Sequence, residues 1–309
     1  MSRLDPSSLK QLESLSVRAK VIVEGALTGM HRAKLRGSSV EFAEHKEYSP
    51  GDEIRHIDWQ TFARTDRYYV KQFEQESELC GYLVLDASAS MSYAGKGVSK
   101  LDYGSNLIAA LAYLLIKQRD RVGLSVFGEG TRDAYLPPRA KPAQLHQLLG
   151  IIEEINQRPA QGNQSLSGSL TDIAEASRKR KGLVVVASDF FEEGDDALRV
   201  LRELRSQGHD TVVFHLLDRD EIEFPFDELT VFEGLEGGDR LLVDPPSIRK
   251  RYREQIQAFL TRVRKACTDA GVEYHLCPTD RAYDETLQGF LARRLGRTMG
   301  PGSRPGGGR

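Results

Sequence analysis

The sequence predicts an α/β protein with a doubly wound, mostly parallel sheet flanked by helices and a small N-terminal α+β subdomain. Two continuous apolar runs, at 82–85 (YLVL) and 183–187 (LVVVA), are typical of strands buried on both faces of a parallel sheet. Strand-like and helix-like segments alternate along the chain up to about residue 295. This alternation is the pattern of a doubly wound sheet.

The N-terminal part is predicted to contain one helix and two strands. Leucines and alanines recur at three- and four-residue spacing over 7–28, which predicts a helix, and the basic cluster at 31–37 is expected to end it. Weak alternation at 40–48 and an aromatic segment at 68–73 predict two strands. The Pro-Gly-Asp sequence at 50–52 is a strong turn signal between them.

The core elements are predicted from the same signals. Ser99, followed three residues later by Asp102, predicts the N-terminal cap of a helix with a broad apolar face. Further strands are expected at 122–127, 131–136 (just before two prolines), 211–217 and 273–276, and further helices at 142–155, 166–180, 197–207, 246–270 and 283–295.

The domain boundaries follow from these elements. We expect the N-terminal helix and the α+β subdomain in 1–77 and the α/β domain in 78–296, with a β-rich insertion at 224–243. The last segment, 297–309, is rich in glycine, proline and arginine, and we expect it to be a disordered tail.

Composition limits the class of protein. Of the 309 residues, 39% are hydrophobic and 28% are charged, and the net charge of −2 gives no general attraction to nucleic acid. No apolar run approaches the roughly 20 residues that cross a bilayer, and the N-terminus lacks the apolar segment of a signal peptide. The three cysteines contain no Cys-x-x-Cys pair, which argues against a disulfide framework. We therefore expect a cytoplasmic protein without membrane insertion.

The strongest candidate site lies where the two apolar runs end. Asp86, Ser88 and Ser90 follow the first run, and Asp189 follows the second. Ligands of open α/β sheets bind at the carboxyl ends of the strands, so these side chains are expected to lie close together. Carboxylate and hydroxyl oxygens are hard ligands that suit Mg²⁺. In the alternative interpretation, the two serines cap the next turn and Asp189 forms a salt bridge.

Several enzyme classes lack their sequence signatures. The chain contains no GxxxxGK[ST] loop, which argues against ATP hydrolysis, and no GxSxG elbow of a serine hydrolase. The glycines at 123–130 do not follow the GxGxxG order of dinucleotide-binding proteins.

The chain resembles a known family over roughly residues 20 to 290, most specifically in its N-terminal part. The resemblance rests on Glu41-Phe42, Pro50-Gly51-Asp52, Arg55, Ile57-Asp58-Trp59, Ala63-Arg64 and the Asp-x-Ser-x-Ser loop that begins at Asp86. In these motifs the chain is similar to the bacterial and archaeal domain-of-unknown-function family fifty-eight. The family resembles von Willebrand factor A domains and is typically encoded beside MoxR-type AAA+ ATPases.

The resemblance implies a ligand set for a metal ion. Asp86, Ser88 and Ser90 match the first motif of the metal-ion-dependent adhesion site (MIDAS), and Asp189 matches its last acid. Related domains usually have Gly-Gly-Thr in the middle motif, where this chain has Gly-Asn-Gln at 162–164. The Gln164 carbonyl or the Ser165 hydroxyl would then reach the ion through a water. The expected ion is Mg²⁺, with Mn²⁺ and Ca²⁺ as alternatives.

The resemblance also implies a function. It suggests a non-enzymatic adaptor for a MoxR-type AAA+ ATPase, and for other von Willebrand A-like proteins, that docks a partner carboxylate on the ion during complex assembly. Two alternatives stay open. One is a Mg²⁺-dependent phosphoester hydrolase that uses Asp86 and Asp189. The other is a binding domain whose metal site is vestigial because of Gln164.

Overall fold

The computed structural model describes residues 4–10, 12, 14–35, 46–47, 69–70, 79–128, 134–157, 165–191, 194–235 and 240–298. The chain divides into two compact units, one made of Met1–Met30 with Leu79–Arg309 and the other of His31–Glu78.

The smaller unit contains a short pair of strands in its described part. β1 (Lys46–Glu47) and β2 (Tyr69–Val70) pair antiparallel. They lie within the two segments for which the sequence predicts strands. The motifs between these strands, including the Pro-Gly-Asp turn, lie outside the described residues.

The larger unit is built on a six-stranded sheet. The remaining strands are β3 (Cys80–Asp86), β4 (Arg121–Phe127), β5 (Ala134–Arg139), β6 (Leu183–Ser188), β7 (Asp210–Leu217), β8 (Thr230–Glu233), β9 (Arg240–Val243) and β10 (Glu273–Pro278). The order across the sheet is β10-β7-β6-β3-β4-β5, and β8 pairs with β9 separately. The described neighbours in the sheet are parallel except for β4 and β5. The predicted fold class is confirmed.

Helices connect the strands. They are α1 (Pro6–Leu9), α2 (Leu15–Leu35), α3 (Lys100–Lys117), α4 (Pro142–Gln157), α5 (Leu166–Ala176), α6 (Asp196–Ser206), α7 (Arg219–Glu223), α8 (Pro245–Asp269) and α9 (Tyr283–Thr298). The Ser99 hydroxyl caps α3 by accepting a hydrogen bond from the Asp102 backbone N–H at 3.0 Å, as the sequence predicts.

Apolar layers cover both faces of the sheet. Alternate residues of β3 point to opposite faces, so Leu83 and Leu85 belong to one core while Tyr82 and Val84 belong to the other. The first core includes side chains of α2, α3, α4 and α9, and the second includes side chains of α5, α6 and α8. A sheet covered on both faces explains the continuous apolar runs of β3 and β6.

Two predicted boundaries are wrong. The single helix predicted for 7–28 is divided into α1 and α2, and α2 continues through the basic cluster to Leu35. Histidine, arginine and lysine are compatible with a helix, so a basic cluster alone does not end one. β5 was expected to end at residue 136, but it includes Pro137 and Pro138. Because β5 lies at the edge of the sheet, prolines need not donate to a further strand.

Helix α1, and α2 as far as Met30, are part of the larger unit. The sequence instead predicts that they belong with the segment up to residue 77. In the structure, Leu15, Ala19 and Ile22 are fully buried in the same core as α3 and β3. The N-terminal part of the chain therefore completes the α/β core.

Two further predicted segments can be compared with the structure. β8 and β9 form an antiparallel hairpin inside the segment 224–243, where the sequence predicts a β-rich insertion. α9 reaches Thr298 and so includes the first two residues of the predicted tail. The rest of that tail, 299–309, lies outside the described residues.

Two surface properties bear on function. In the described part of the chain, no helix combines the length and apolar character needed to cross a bilayer. Large exposed apolar side chains gather on and beside the β8–β9 hairpin, namely Leu229, Val231, Leu235, Leu241 and Leu242.

Candidate metal centre

The candidate site lies at the topological switch point of the sheet. From β3 the chain proceeds to β4 and β5 on one side, and then returns to β6 and β7 on the other side. In doubly wound sheets the ligand crevice lies where the strand order reverses, at the carboxyl ends of the strands. Here that point is between β3, which ends at Asp86, and β6, which is followed directly by Asp189. The fold therefore brings the two predicted acids to one crevice.

Asp86 is held by hydrogen bonds on both carboxylate oxygens. Its Oδ1 accepts from the Ser88 backbone N–H at 2.9 Å, and its Oδ2 accepts from the Ser188 hydroxyl at 2.5 Å. Burial, and then the negative charge of Asp189, raise the pKa of Asp86 to about 7. A buried carboxylate of this kind requires either a proton or a cation to compensate its charge.

The two serines of the loop lie side by side. Ser88 precedes a single 3₁₀ turn, Ala89–Ser92, that contains Ser90. The Oγ atoms of Ser88 and Ser90 are 3.1 Å apart, and both side chains are half-buried. Adjacent ligands of an octahedral Mg²⁺ ion, each about 2.1 Å from the metal, lie about 3 Å from one another. The spacing of the two hydroxyls therefore fits two neighbouring coordination positions.

Asp189 has hydrogen-bond donors on both carboxylate oxygens. Its Oδ1 accepts from the Phe191 backbone N–H at 3.1 Å, and its Oδ2 accepts from the Lys100 ammonium group at 2.8 Å. The salt bridge that the alternative interpretation expects for Asp189 is therefore present. Ser88 occupies the N-cap position of the 3₁₀ turn, but its side chain makes no capping hydrogen bond.

Lys100 is a further residue of the candidate site, and no sequence motif indicates it. Its side chain is fully buried, and its ammonium group also contacts Oε1 of Glu221 at 2.5 Å. Burial alone would lower the pKa of Lys100, but Asp189 and Glu221 outweigh burial and raise it. These contacts join the first turn of α3 to the loop after β6 and to α7, which follows β7. No local sequence pattern indicates them.

The backbone around Asp189 is fixed in an unusual conformation. Phe190 has a φ angle of 56°, which is rare for a bulky side chain, and its N–H donates to the Ser188 hydroxyl at 3.0 Å. The Asp189 carbonyl accepts from Nε2 of His215 at 2.8 Å. Burial lowers the pKa of His215 to about 4, so this imidazole is neutral and its Nδ1 accepts from the Tyr274 hydroxyl at 2.8 Å.

The predicted middle motif is only partly described. The Ser165 side chain is exposed and caps α5, since its hydroxyl accepts from the Gly168 backbone N–H at 3.1 Å. Its hydroxyl also lies 3.0 Å from that of Ser167. Gln164 lies outside the described residues, so its predicted contribution to a metal site stays a prediction.

The donor set fits a hard divalent cation. Asp86, Ser88 and Ser90 offer oxygen atoms, which suit Mg²⁺, Mn²⁺ or Ca²⁺ and do not suit soft metals. Within the described ranges, no three His, Cys, Asp or Glu side chains converge in a way that could hold a metal ion. A metal at this crevice would therefore depend on the serine hydroxyls, and its occupancy stays a prediction.

Comparisons with known proteins agree with the resemblance described above. A family model described as "Protein of unknown function DUF58" matches residues 44–262. The uncharacterized protein Rv1480 of Mycobacterium tuberculosis is 28% identical over 298 residues, which cover 96% of this chain and 93% of that protein. The uncharacterized protein Mb1516 of Mycobacterium bovis matches with the same identity and coverage.

Solved structures match this chain at low similarity. The conserved hypothetical protein BatB from Bacteroides thetaiotaomicron is 14% identical, with a TM-score of 0.46, over 71% of this chain and 99% of that one. The VWA domain of SpRpn10 is 9% identical, with a TM-score of 0.38, over 68% and 93% of the two chains. The fold assignment itself rests on the strand order. Since the family model covers well over half of the chain, this protein belongs to the DUF58 family.

Proposed function

We propose that this protein is a non-enzymatic protein-interaction module that docks a partner through a divalent cation, Mg²⁺ in the first place. The observation that carries the proposal is the pair of serine hydroxyls, 3.1 Å apart, beside the buried Asp86 at the switch point. When bound, the cation would supply a positively charged acceptor for a carboxylate of the partner protein.

The residues at this site would have different roles in binding the cation. Ser88 and Ser90 offer neutral oxygens, so they would leave most of the positive charge of the cation available to a partner. The Asp86 carboxylate supplies the negative charge, and the Ser188 hydroxyl and the Ser88 N–H fix its orientation. The loop is therefore organised before any partner arrives, which reduces the entropic cost of binding.

The proposed partner is a MoxR-type AAA+ ATPase, for which this chain would act as an adaptor in chaperone-like complex assembly. This part of the proposal rests on the family resemblance. The proposal includes a cytoplasmic location for the chain. The exposed apolar side chains of the β8–β9 hairpin support a role in protein contacts, since clustered apolar surface is typical of interaction sites.

The contacts at the two acids favour binding over hydrolysis. A phosphoester hydrolase would need one of them to act as a base or nucleophile. Asp189 is ion-paired with Lys100, and Asp86 accepts two hydrogen bonds. The hydrolase alternative would be revived by metal-dependent turnover of a phosphoester that the substitution Asp86→Ala abolishes.

The test is co-purification of the full chain with the MoxR-type ATPase from the same organism. We expect recovery of the ATPase to fall at least about tenfold with EDTA, with Asp86→Ala and with the pair Ser88→Ala/Ser90→Ala. Asp172→Ala is the matched control, because Asp172 is an exposed acid on α5. Equal recovery with and without EDTA, and with Asp86→Ala, would contradict docking through the metal.

A further inference from the structure

Lys100 occupies a position that is unfavourable for a cation. It is the first residue of α3, where the positive end of the helix dipole disfavours a positive charge. Its side chain is also fully buried, which removes the ammonium group from water. Only strong compensation can keep a charged lysine there, and the compensation comes from Asp189 and Glu221.

The geometry of these contacts determines what Asp189 can do. Lys100 Nζ is 2.8 Å from Oδ2 of Asp189, and the Phe191 backbone N–H occupies Oδ1. The face of the Phe191 ring lies 4.9 Å from the same ammonium group. Both oxygens of Asp189 are thus engaged, one of them by a positively charged group, whereas the Ser88 N–H and the Ser188 hydroxyl that donate to Asp86 are neutral.

We infer that Lys100 is a built-in counter-cation of the metal site. It neutralises Asp189 and keeps it out of the coordination shell, so that the protein ligands of the ion are Asp86, Ser88 and Ser90. This inference rests on the metal site of the proposed function. It makes Lys100 a positioning residue, and it revises the sequence prediction that Asp189 binds the ion directly.

The charges explain why such a lysine would serve a docking site. Asp86, Asp189 and Glu221 carry three negative charges, which Lys100 and a divalent cation would balance. Without Lys100 the same groups would retain a negative charge, which attracts a metal ion more strongly but repels the carboxylate of a partner. Lys100 therefore weakens metal binding and favours an acidic partner.

The test is calorimetric titration of Mg²⁺ into the metal-free, purified full chain at pH 8. We expect Lys100→Met to bind Mg²⁺ at least about tenfold more tightly than wild type, since it removes one positive charge near the ion. Asp189→Asn and Glu221→Gln should each weaken binding by a similar factor. Lys117→Met is the matched control, because Lys117 is an exposed lysine on the same helix, and it should leave binding unchanged within about twofold.

The double variant Lys100→Met/Asp189→Asn separates charge from coordination. It has the same net charge at the site as wild type, so we expect Mg²⁺ affinity within about threefold of wild type. If Asp189 were a direct ligand, the double variant would bind at least about tenfold more weakly, which would overturn the inference. The double variant also keeps the test open if Lys100→Met alone does not fold, because it leaves fewer unpaired buried carboxylates.

The outcome of the Mg²⁺ titration is independent of the ATPase co-purification. An unchanged Mg²⁺ affinity of Lys100→Met would overturn the role of Lys100 while docking through the metal could still stand. Conversely, recovery of the ATPase in EDTA would contradict docking and leave the titration result intact. If wild type binds no Mg²⁺, binding by Lys100→Met supports the counter-cation, and absence of binding in both proteins overturns it.

Discussion

At the scale of single residues, buried ionisable side chains of this protein are held in one charge state by identifiable neighbours. Lys100 stays charged because of two carboxylates, and His215 stays neutral because burial lowers its pKa. His209 precedes β7, at the edge of the sheet opposite the candidate metal site, and belongs to the same class. It is buried, its Nδ1 accepts from the Gly182 N–H at 3.3 Å, and its Nε2 is 3.1 Å from the Ser177 hydroxyl.

His209 predicts a specific dependence of stability on pH. Burial, and to a lesser degree the charge of Lys181, lower the pKa of His209 below the usual value of 6.5. The unfolded chain therefore takes up a proton near pH 6.5 while the folded chain does not, so the free energy of unfolding decreases as the pH falls from about 7. We expect His209→Asn to reduce stability at pH 7.5 and to make it less dependent on pH down to 5.5.

Urea unfolding at pH 7.5, 6.5 and 5.5 would measure this effect. His146→Asn is the control, because His146 is an exposed histidine on α4 and its replacement should leave the pH dependence of wild type in place. A His209→Asn protein with the same pH dependence as wild type would show that the buried imidazole is not responsible.

Single residues of the site differ in how far the sequence predicts them. Asp86, Ser88 and Ser90 follow an apolar strand within a few positions, so a local pattern identifies them. Lys100 cannot be identified in this way, because its partner Glu221 is 121 residues away in the chain and its burial depends on the packed fold. Charged residues at helix starts are usually exposed, and nothing in the sequence distinguishes this one.

At the scale of elements, the end of β4 holds the Asp-x-Ser-x-Ser loop in place. Gly128 follows β4 with a φ angle of 88°, a conformation that favours glycine. A Cβ atom at this position would lie 2.4 Å from the backbone nitrogen of Ser88 and 2.7 Å from its Cα. Backbone atoms cannot move aside as a flexible side chain does, so the loop after β3 can keep its path only beside a glycine.

Gly128→Ala should therefore damage the site as well as the fold. We expect the free energy of unfolding to fall by more than about 2 kcal/mol, because backbone strain and crowding act together. We also expect Mg²⁺ affinity to be at least about tenfold weaker, because Ser88 is displaced. Gly194→Ala is a matched control, since Gly194 has the same φ angle of 88° and open space around the position of a Cβ. Gly194→Ala should lower the free energy of unfolding only by the backbone strain, about 1–2 kcal/mol, and leave Mg²⁺ binding intact. Equal effects of the two variants in calorimetry and urea unfolding would rule out this account of the loop.

Some elements of the fold can be predicted from the sequence and others cannot, as is the case for single residues. β3 and β6 were predictable because burial on both faces produces continuous apolar runs. The extension of β5 through Pro137 and Pro138 was not, because it depends on the position of β5 at the edge of the sheet. The order of the strands likewise requires the structure, since a pattern of alternating strands and helices fits more than one doubly wound order.

At the scale of the whole molecule, the N-terminal helices and the sheet share one core although residues 36–78 separate them in the chain. The segments Met1–Met30 and Leu79–Arg309 form a single compact unit. This packing could not be predicted from the sequence, because an amphipathic pattern shows that a helix is packed and does not show which element it packs against. The candidate metal site belongs to this unit, so we expect its stability to depend on residues near the N-terminus.

This dependence can be tested with two substitutions on α2. Ile22 is fully buried in the core, whereas Val17 on the same helix is 48% exposed. Ile22→Ala should lower the free energy of unfolding by about 2–5 kcal/mol, because it removes buried apolar groups and leaves a cavity. Val17→Ala should change it by less than about 0.5 kcal/mol. Urea unfolding followed by far-ultraviolet circular dichroism would measure the stability of both variants.

If the two variants had equally small effects, the N-terminal helix would contribute little to the core and the sheet would be stable without it. If Ile22→Ala alone is destabilised, the unit that carries the site includes the N-terminus, and removal of the first 30 residues should abolish the site together with the fold.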